Sequence, residues 1–156
     1  MTQKLLIAVD DSENAQRAVE FVAKTFSKDN QVTLLSIVLD TEALSKMDSP
    51  ELTPFFKSQR AIFCVLEDKK RELIRVAVSK AKEKLQAAGF SSDRILSKIE
   101  SKKRGVARDI LAEAEKGYDL VIVGRRGISG IQEFFMGSTS YKVFNGAKDI
   151  SVLIVN

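Results

Sequence analysis

Apolar residues fall into two rhythms along this chain. Short unbroken runs occupy Leu5 to Val9, Val32 to Leu39, Leu120 to Val123 and Val152 to Val155. Each is too short for a core helix and predicts a strand, with Leu5 to Val9, bounded by Asp10, Asp11 and Ser12, buried on both faces. A more polar run, Ile95 to Ile99, predicts a strand at a sheet edge. Between these runs the apolar spacing changes to three and four. Ala15, Ala18, Val19, Val22 and Phe26 form one helical stripe behind a capping residue, Ser12. A long helix is predicted from Ala61 to Gly89, buried through Leu73, Val76, Ala77, Ala81, Leu85 and Ala88. Two shorter helices follow. Val106 to Lys116 turns Ile110, Leu111 and Ala114 inward, and Ser138 to Asn145 carries Val143 and Phe144. Gly89, Gly117 and Gly146 stand where these three helices should stop.

One stretch has no clean period. Thr41 to Pro54 contains Met47, Asp48, Ser49 and Pro50, and reads as a loop or lid. Phe55, Phe56 and Phe63 follow it and are expected to pin it to the core. Strands alternating with helices predict a parallel sheet covered on both faces, a single-domain doubly wound α/β protein over residues 1–156.

Composition narrows the chemistry. The chain has no His, which removes the commonest general base and most zinc or iron sites. Its one Cys, Cys64, excludes an intrachain disulfide and sits in apolar AIFCVL, where it reads as a small hydrophobe. A net charge of +4 is below the density of a dedicated nucleic-acid binder. The basic cluster Lys98, Lys102, Lys103 and Arg104 reads as a solvated turn, with an anion-attracting rim as the alternative. No apolar run reaches membrane-spanning length, and MTQKLLIAVDDS reads as a buried strand, not a signal peptide. The expectation is a cytoplasmic protein with no membrane and no nucleic-acid partner.

Chemistry concentrates in VIVGRRGISGIQEFFMGSTSYKV, residues 121–143. Gly124 ends a buried strand, and Gly127 and Gly137 follow, the last just before a helix. Glycine lets main chain approach a ligand where a Cβ would collide. The first amides of a helix lack internal partners and sit at its positive end. With Ser138, Thr139 and Ser140 adding hydroxyls, the segment suits phosphates. Arg125 and Arg126 either pair with phosphates or face solvent. In open parallel sheets ligands sit beyond the carboxyl ends of the strands, where strand order reverses. Asp10 ends the first strand as Gly124 ends the fourth; if those strands are neighbours, their ends bracket one crevice in which the carboxylate would receive a base or sugar. Neither the Walker pattern nor G-x-G-x-x-G is present. Turn glycines and a plain helix cap would explain the same residues without a ligand.

The sequence as a whole resembles the universal stress protein family, over residues 4–155. KLLIAVDDSENAQRAV and VTLLSIV look like the family's opening strand, helix and second strand. Gly124-x2-Gly127-x9-Gly137-Ser138, followed by SYKV and VLIV, looks like the signature of its ATP-binding branch. The resemblance implies a Rossmann-like, five-stranded sheet of order 3-2-1-4-5. It implies an ATP site in which Asp10 and the main chain around Ile37 meet adenine or ribose, and Val123 and Gly124 line the adenosine side. Gly127, Gly137, Ser138 and Thr139 would hold the triphosphate, with Mg or Mn bridging its oxygens; Arg126 and Ser140 join them as candidates from their own chemistry. It also implies a homodimer pairing the terminal strand Val152 to Val155 and a further protein partner. The chain departs from the pattern at Ser151, where many members carry Pro, at Asp11, and across Thr41 to Ala61.

Three functions compete at this point. The first is a nucleotide-responsive regulatory protein of the stress response. The second is a slow ATPase, for which Glu133 is the acid offered by the glycine segment. The third is a dimeric interaction module that uses no nucleotide. Main-chain amides read phosphate loosely, so ATP, AMP and cyclic AMP are not separated by these residues.

Overall fold

The computed structural model describes residues 1–47, 53–126 and 136–156. Five strands form one sheet: β1 (Lys4–Ala8), β2 (Gln31–Val38), β3 (Ile95–Ser101), β4 (Leu120–Gly124) and β5 (Ser151–Val155). Their order is β3-β2-β1-β4-β5 and every pairing is parallel. The sheet thus has the expected order, with the polar strand β3 at one edge and β5 at the other.

The helices are α1 (Glu13–Thr25), α2 (Thr41–Lys46), α3 (Pro54–Ala87), α4 (Val106–Ala114) and α5 (Ser138–Gly146). Alternate strand residues feed different cores because side chains alternate across a strand. Leu5 and Ile7 pack with Val19 and Val22 of α1 and with Ile74, Ala81 and Leu85 of α3. Leu6 packs on the other side with Val121 and Val123, Ala107 and Ile110 of α4, and Val143 of α5. Burying a Leu, Ile or Val side chain contributes roughly 1.5–3 kcal/mol, so these two layers dominate the fold's stability.

Three sequence expectations are corrected. The long helix begins at Pro54, not Ala61, with the Thr53 hydroxyl capping Phe56 N–H. Proline suits a first helical turn because its missing N–H has no partner there. The unperiodic stretch also holds a helix, α2, capped by Asp40. Phe55, Phe56 and Phe63 do not pin anything to the core. They are 67%, 61% and 44% exposed, and residues 54–70 of α3 contain no buried side chain. The first half of α3 meets α2, where the Thr41 hydroxyl donates to Asp68 Oδ1 at 2.6 Å.

The stripe of α3 is also shifted in phase. Ile74, Ala77, Val78, Ala81 and Leu85 are buried, whereas Leu73 and Val76 are exposed. In α5, Val143 is buried as expected and Phe144 is exposed. The stops at Gly89 and Gly117 hold: both glycines have positive φ, 102° and 91°, a region that side chains with a Cβ rarely adopt. Cys64 is half-buried, with Sγ 3.8 Å from Thr41 O.

A charged network ties α4 to the sheet. The Glu113 side chain is 2% exposed and accepts from Lys98 Nζ at 2.5 Å and Lys116 Nζ at 2.6 Å. Tyr118 OH donates to it at 3.1 Å. Burial alone would push this carboxyl up, but bonds from Lys116, Lys98 and Tyr118 outweigh it and hold the pKa at about 2. Lys98 is therefore not part of a solvated turn. Lys103 and Arg104 are, and their amides donate to the Asp109 carboxylate in the first turn of α4.

Candidate functional site

Strand order reverses at β1, whose neighbours are β2 on one side and β4 on the other. The chains leaving β1 and β4 turn away in different directions, and a crevice opens between them. A cleft of about 540 Å³ lies there, lined by Asp10, Ser12, Ile37, Val106, Val123, Gly124, Arg126, Thr139 and Ser140, among others. Seven of the residues read from the sequence thus share one wall system.

Asp10 is positioned by a relay of short contacts. Val9 N–H donates to Leu35 O at 2.8 Å, and the buried Ser36 hydroxyl donates to Val9 O at 2.6 Å. These bonds fix the chain where it leaves the sheet. Asp10 Oδ1 then accepts from Ser12 N at 2.9 Å and from the Ser12 hydroxyl. Ser12 Oγ in turn accepts from Ala15 N at 3.2 Å as the cap of α1. One carboxylate oxygen is committed to the turn; Oδ2 has no hydrogen bond to another described residue.

The other end of the cleft is the mouth of α5. Gly137 is its N-cap, with φ −65° and ψ 154°, and no side chain caps the helix. Gly137 N–H donates to Arg125 O at 2.7 Å. The Ser140 hydroxyl donates to Gly124 O at 2.7 Å and lies 3.1 Å from Arg125 O. Two donors assigned to phosphate from the sequence, the Gly137 amide and the Ser140 hydroxyl, therefore staple α5 to the end of β4. What the mouth offers a ligand is the first-turn amides of Ser138 and Thr139 and the Thr139 side chain, which lines the cleft. Gly137 and Ser138 stand at the mouth but not among the lining residues. Arg126 lines the cleft, and its Nε is buried with no protein acceptor among the described residues.

Gly124 is glycine for a reason the sequence did not disclose. A Cβ there would stand 2.8 Å from the main-chain carbon of Asn14 and 2.9 Å from its Cβ. The first turn of α1 packs directly on the end of β4, so the requirement is steric and internal, whatever the cleft holds. Gly127 and Glu133 lie outside the described residues. Val106 and Ile110 of α4 complete the wall and were not anticipated, because nothing local marks the β3–α4 connection as part of this crevice.

The described residues contain no group of three His, Cys, Asp or Glu side chains able to hold a metal ion. Among them, no helix is long and apolar enough to cross a membrane.

A doubly wound parallel α/β protein with an open cleft at its switch point is the class that this fold and site define. The model of the universal stress protein family matches residues 1–156, and the chain belongs to that family. Universal stress protein YxiE of Bacillus subtilis (strain 168) is 32% identical over 145 residues, 92% of each chain. Among solved structures, hypothetical protein MJ0577 superposes with a TM-score of 0.69 at 26% identity, covering 99% of this chain and 96% of that one. UspA from Lactobacillus plantarum gives 0.70 at 19% identity, over 99% and 97%. A universal stress protein in complex with cAMP gives 0.65 at 17% identity, over 99% and 97%. The last two show likeness of fold.

Proposed function

We propose that the cleft binds an adenine nucleotide, ATP in the first instance, and that the protein is a nucleotide-responsive regulator of the stress response acting through partners. The observation that carries this reading is the pairing of an acceptor and a donor end in one cleft. Asp10 supplies a carboxylate oxygen at one end; the mouth of α5, with Thr139, supplies donors at the other. The apolar walls of Ile37, Val106, Ile110 and Val123 between them suit a purine and ribose.

In this reading Asp10 and the main chain at Ile37 orient the base and sugar, with Gly124 passing beneath. Amides of Ser138 and Thr139 meet phosphate oxygens at the positive end of α5. Arg126 adds a cation at the same end, and Gly127 belongs to the same segment by sequence. Mg or Mn would be held by phosphate oxygens, since hard cations take oxygen ligands and the described residues offer no metal cluster. The divalent ion would neutralise phosphate charge.

The relative whose structure contains cAMP gives a concrete competitor. Purified protein should be denatured and its released small molecules weighed by mass spectrometry. ATP, AMP and cyclic AMP should then be titrated separately with Mg present. Saturable ATP binding at or below millimolar concentration supports the reading. Absence of saturable binding by any adenine nucleotide removes it and leaves the dimeric interaction module. Strand β5 has β4 on one side and is the sheet's edge on the other. We read its apolar, β-branched sequence as the surface that pairs with a second copy, measurable as a doubled mass by light scattering.

A further inference from the structure

A second cavity, of about 500 Å³, lies beside the nucleotide cleft, between the C-terminal ends of β2 and β3, α3 and the start of α4. Ile37 and Val106 line both, so the two spaces share a wall. The lining of the second is of two kinds. Leu39, Phe63 and Ile74 are apolar; Lys70, Arg71 and Lys102 are cationic, opposed by Glu67 alone. None of these four charged side chains is in an ion pair with another described residue.

Two features of this cavity call for a guest. Arg71 Nη2 donates to Leu39 O at 3.0 Å, which holds the guanidinium in place, yet Nε is buried with no protein acceptor among the described residues. A buried donor without a partner is costly, and an anionic oxygen repairs it. Lys102 is fixed at the rim by its own main chain, whose N–H donates to Val38 O at 2.6 Å. The second feature is Phe63, a large apolar side chain left 44% exposed in the first half of α3. It lines the cavity, where a ligand's apolar body would cover it.

We propose that this cavity is a second ligand site, taking a small organic anion. Its phosphate or carboxylate sits among Lys70, Arg71 and Lys102, and its apolar body lies against Leu39, Phe63 and Ile74. Arg71 supplies the oriented donor, and the two lysines supply charge at the rim. The site stands on its own residues and does not require that the neighbouring cleft hold a nucleotide.

Phenyl phosphate is a suitable probe, followed by amide chemical shifts in isotope-labelled full-length protein. The expected result is saturable shifts at Leu39, Ile74 and Lys102. R71Q should raise the dissociation constant at least tenfold, as should the double variant K70Q/K102Q. Both lysines are exposed, so the double variant tests the site even if R71Q folds poorly. K148Q, remote and exposed, should leave it unchanged. Shifts confined to Gly124 and Thr139 would place the probe in the other cleft and overturn the proposal. So would no saturable shift at the three reporters, or a constant within twofold of wild type in the double variant. Because the shifts are read residue by residue, failure here is distinct from failure of the nucleotide reading.

Discussion

Asn14, in the first turn of α1, and Gly124, the last residue of β4, are in direct main-chain contact, and no side chain fits between them. A Cβ added to Gly124 would lie 2.8 Å from the Asn14 carbonyl carbon and 2.9 Å from its oxygen. The obstruction is backbone, which cannot swing aside as a flexible side chain would. Gly124→Ala should therefore destabilise the fold by about 1–3 kcal/mol, as overpacking does. Denaturant unfolding checks this: a lower midpoint with unchanged slope is expected. A neutral Gly124→Ala would mean that the glycine serves the ligand and not the packing.

Thr139 and Ser140 are neighbours with separable roles. Ser140→Ala removes the bonds to Gly124 O and Arg125 O and should cost about 1–2 kcal/mol of stability. Thr139→Ala touches no such staple and should leave stability within about 0.5 kcal/mol, while weakening ATP by roughly 1.5–3 kcal/mol if its hydroxyl meets phosphate. Parallel melting and titration of the two variants separate the roles. Equal loss of stability in both would contradict the assignment.

Glu113 makes stability depend on acid. Its carboxyl titrates at about 2 in the folded protein, below its ordinary 4.5. Between those values the unfolded chain binds the proton and the folded one does not, so stability rises with pH across this window. The contribution is complete above pH 4.5 and is lost as pH falls toward 2. It amounts to about 2–3 kcal/mol, tempered by the 61% exposure of Lys116. Glu113→Gln should be less stable at pH 7 and should show a flatter profile between pH 4.5 and 2. An unchanged acid limb in that variant would show that other groups set it.

The strands and one sheet edge were legible because buried strands read as unbroken apolar runs and β3, with Ser97, Lys98 and Glu100, does not; β5, the other edge, is as apolar as a central strand. Helix α1 was legible because its apolar residues occupy one stripe. Helix α3 was misread in phase because it is apolar on two faces. Ile74 and Val78 bury, while Leu73 and Val76, one and two positions away, stay exposed, and spacing alone cannot choose between the stripes. Thr53-Pro54 reads equally as the end of a loop and as a helix start. At the site, Asp10, Gly124 and the helix mouth were visible as local signals. The commitment of Ser140 to β4 was not, nor was the Lys98–Glu113 pair, because both join segments distant in sequence.

Gly137→Val places a bulky side chain at the mouth of α5, where the phosphates of a bound nucleotide would lie. The backbone at Gly137, φ −65° and ψ 154°, is extended conformation that a β-branched residue adopts, so the variant should fold with an unchanged circular dichroism spectrum. Calorimetric titration of ATP with Mg²⁺ into wild type and variant is the measurement. Saturable binding to wild type, weakened by added bulk beside the first-turn amides, is the predicted result. Undiminished binding by folded Gly137→Val protein, or none by wild type at millimolar ATP, would contradict it.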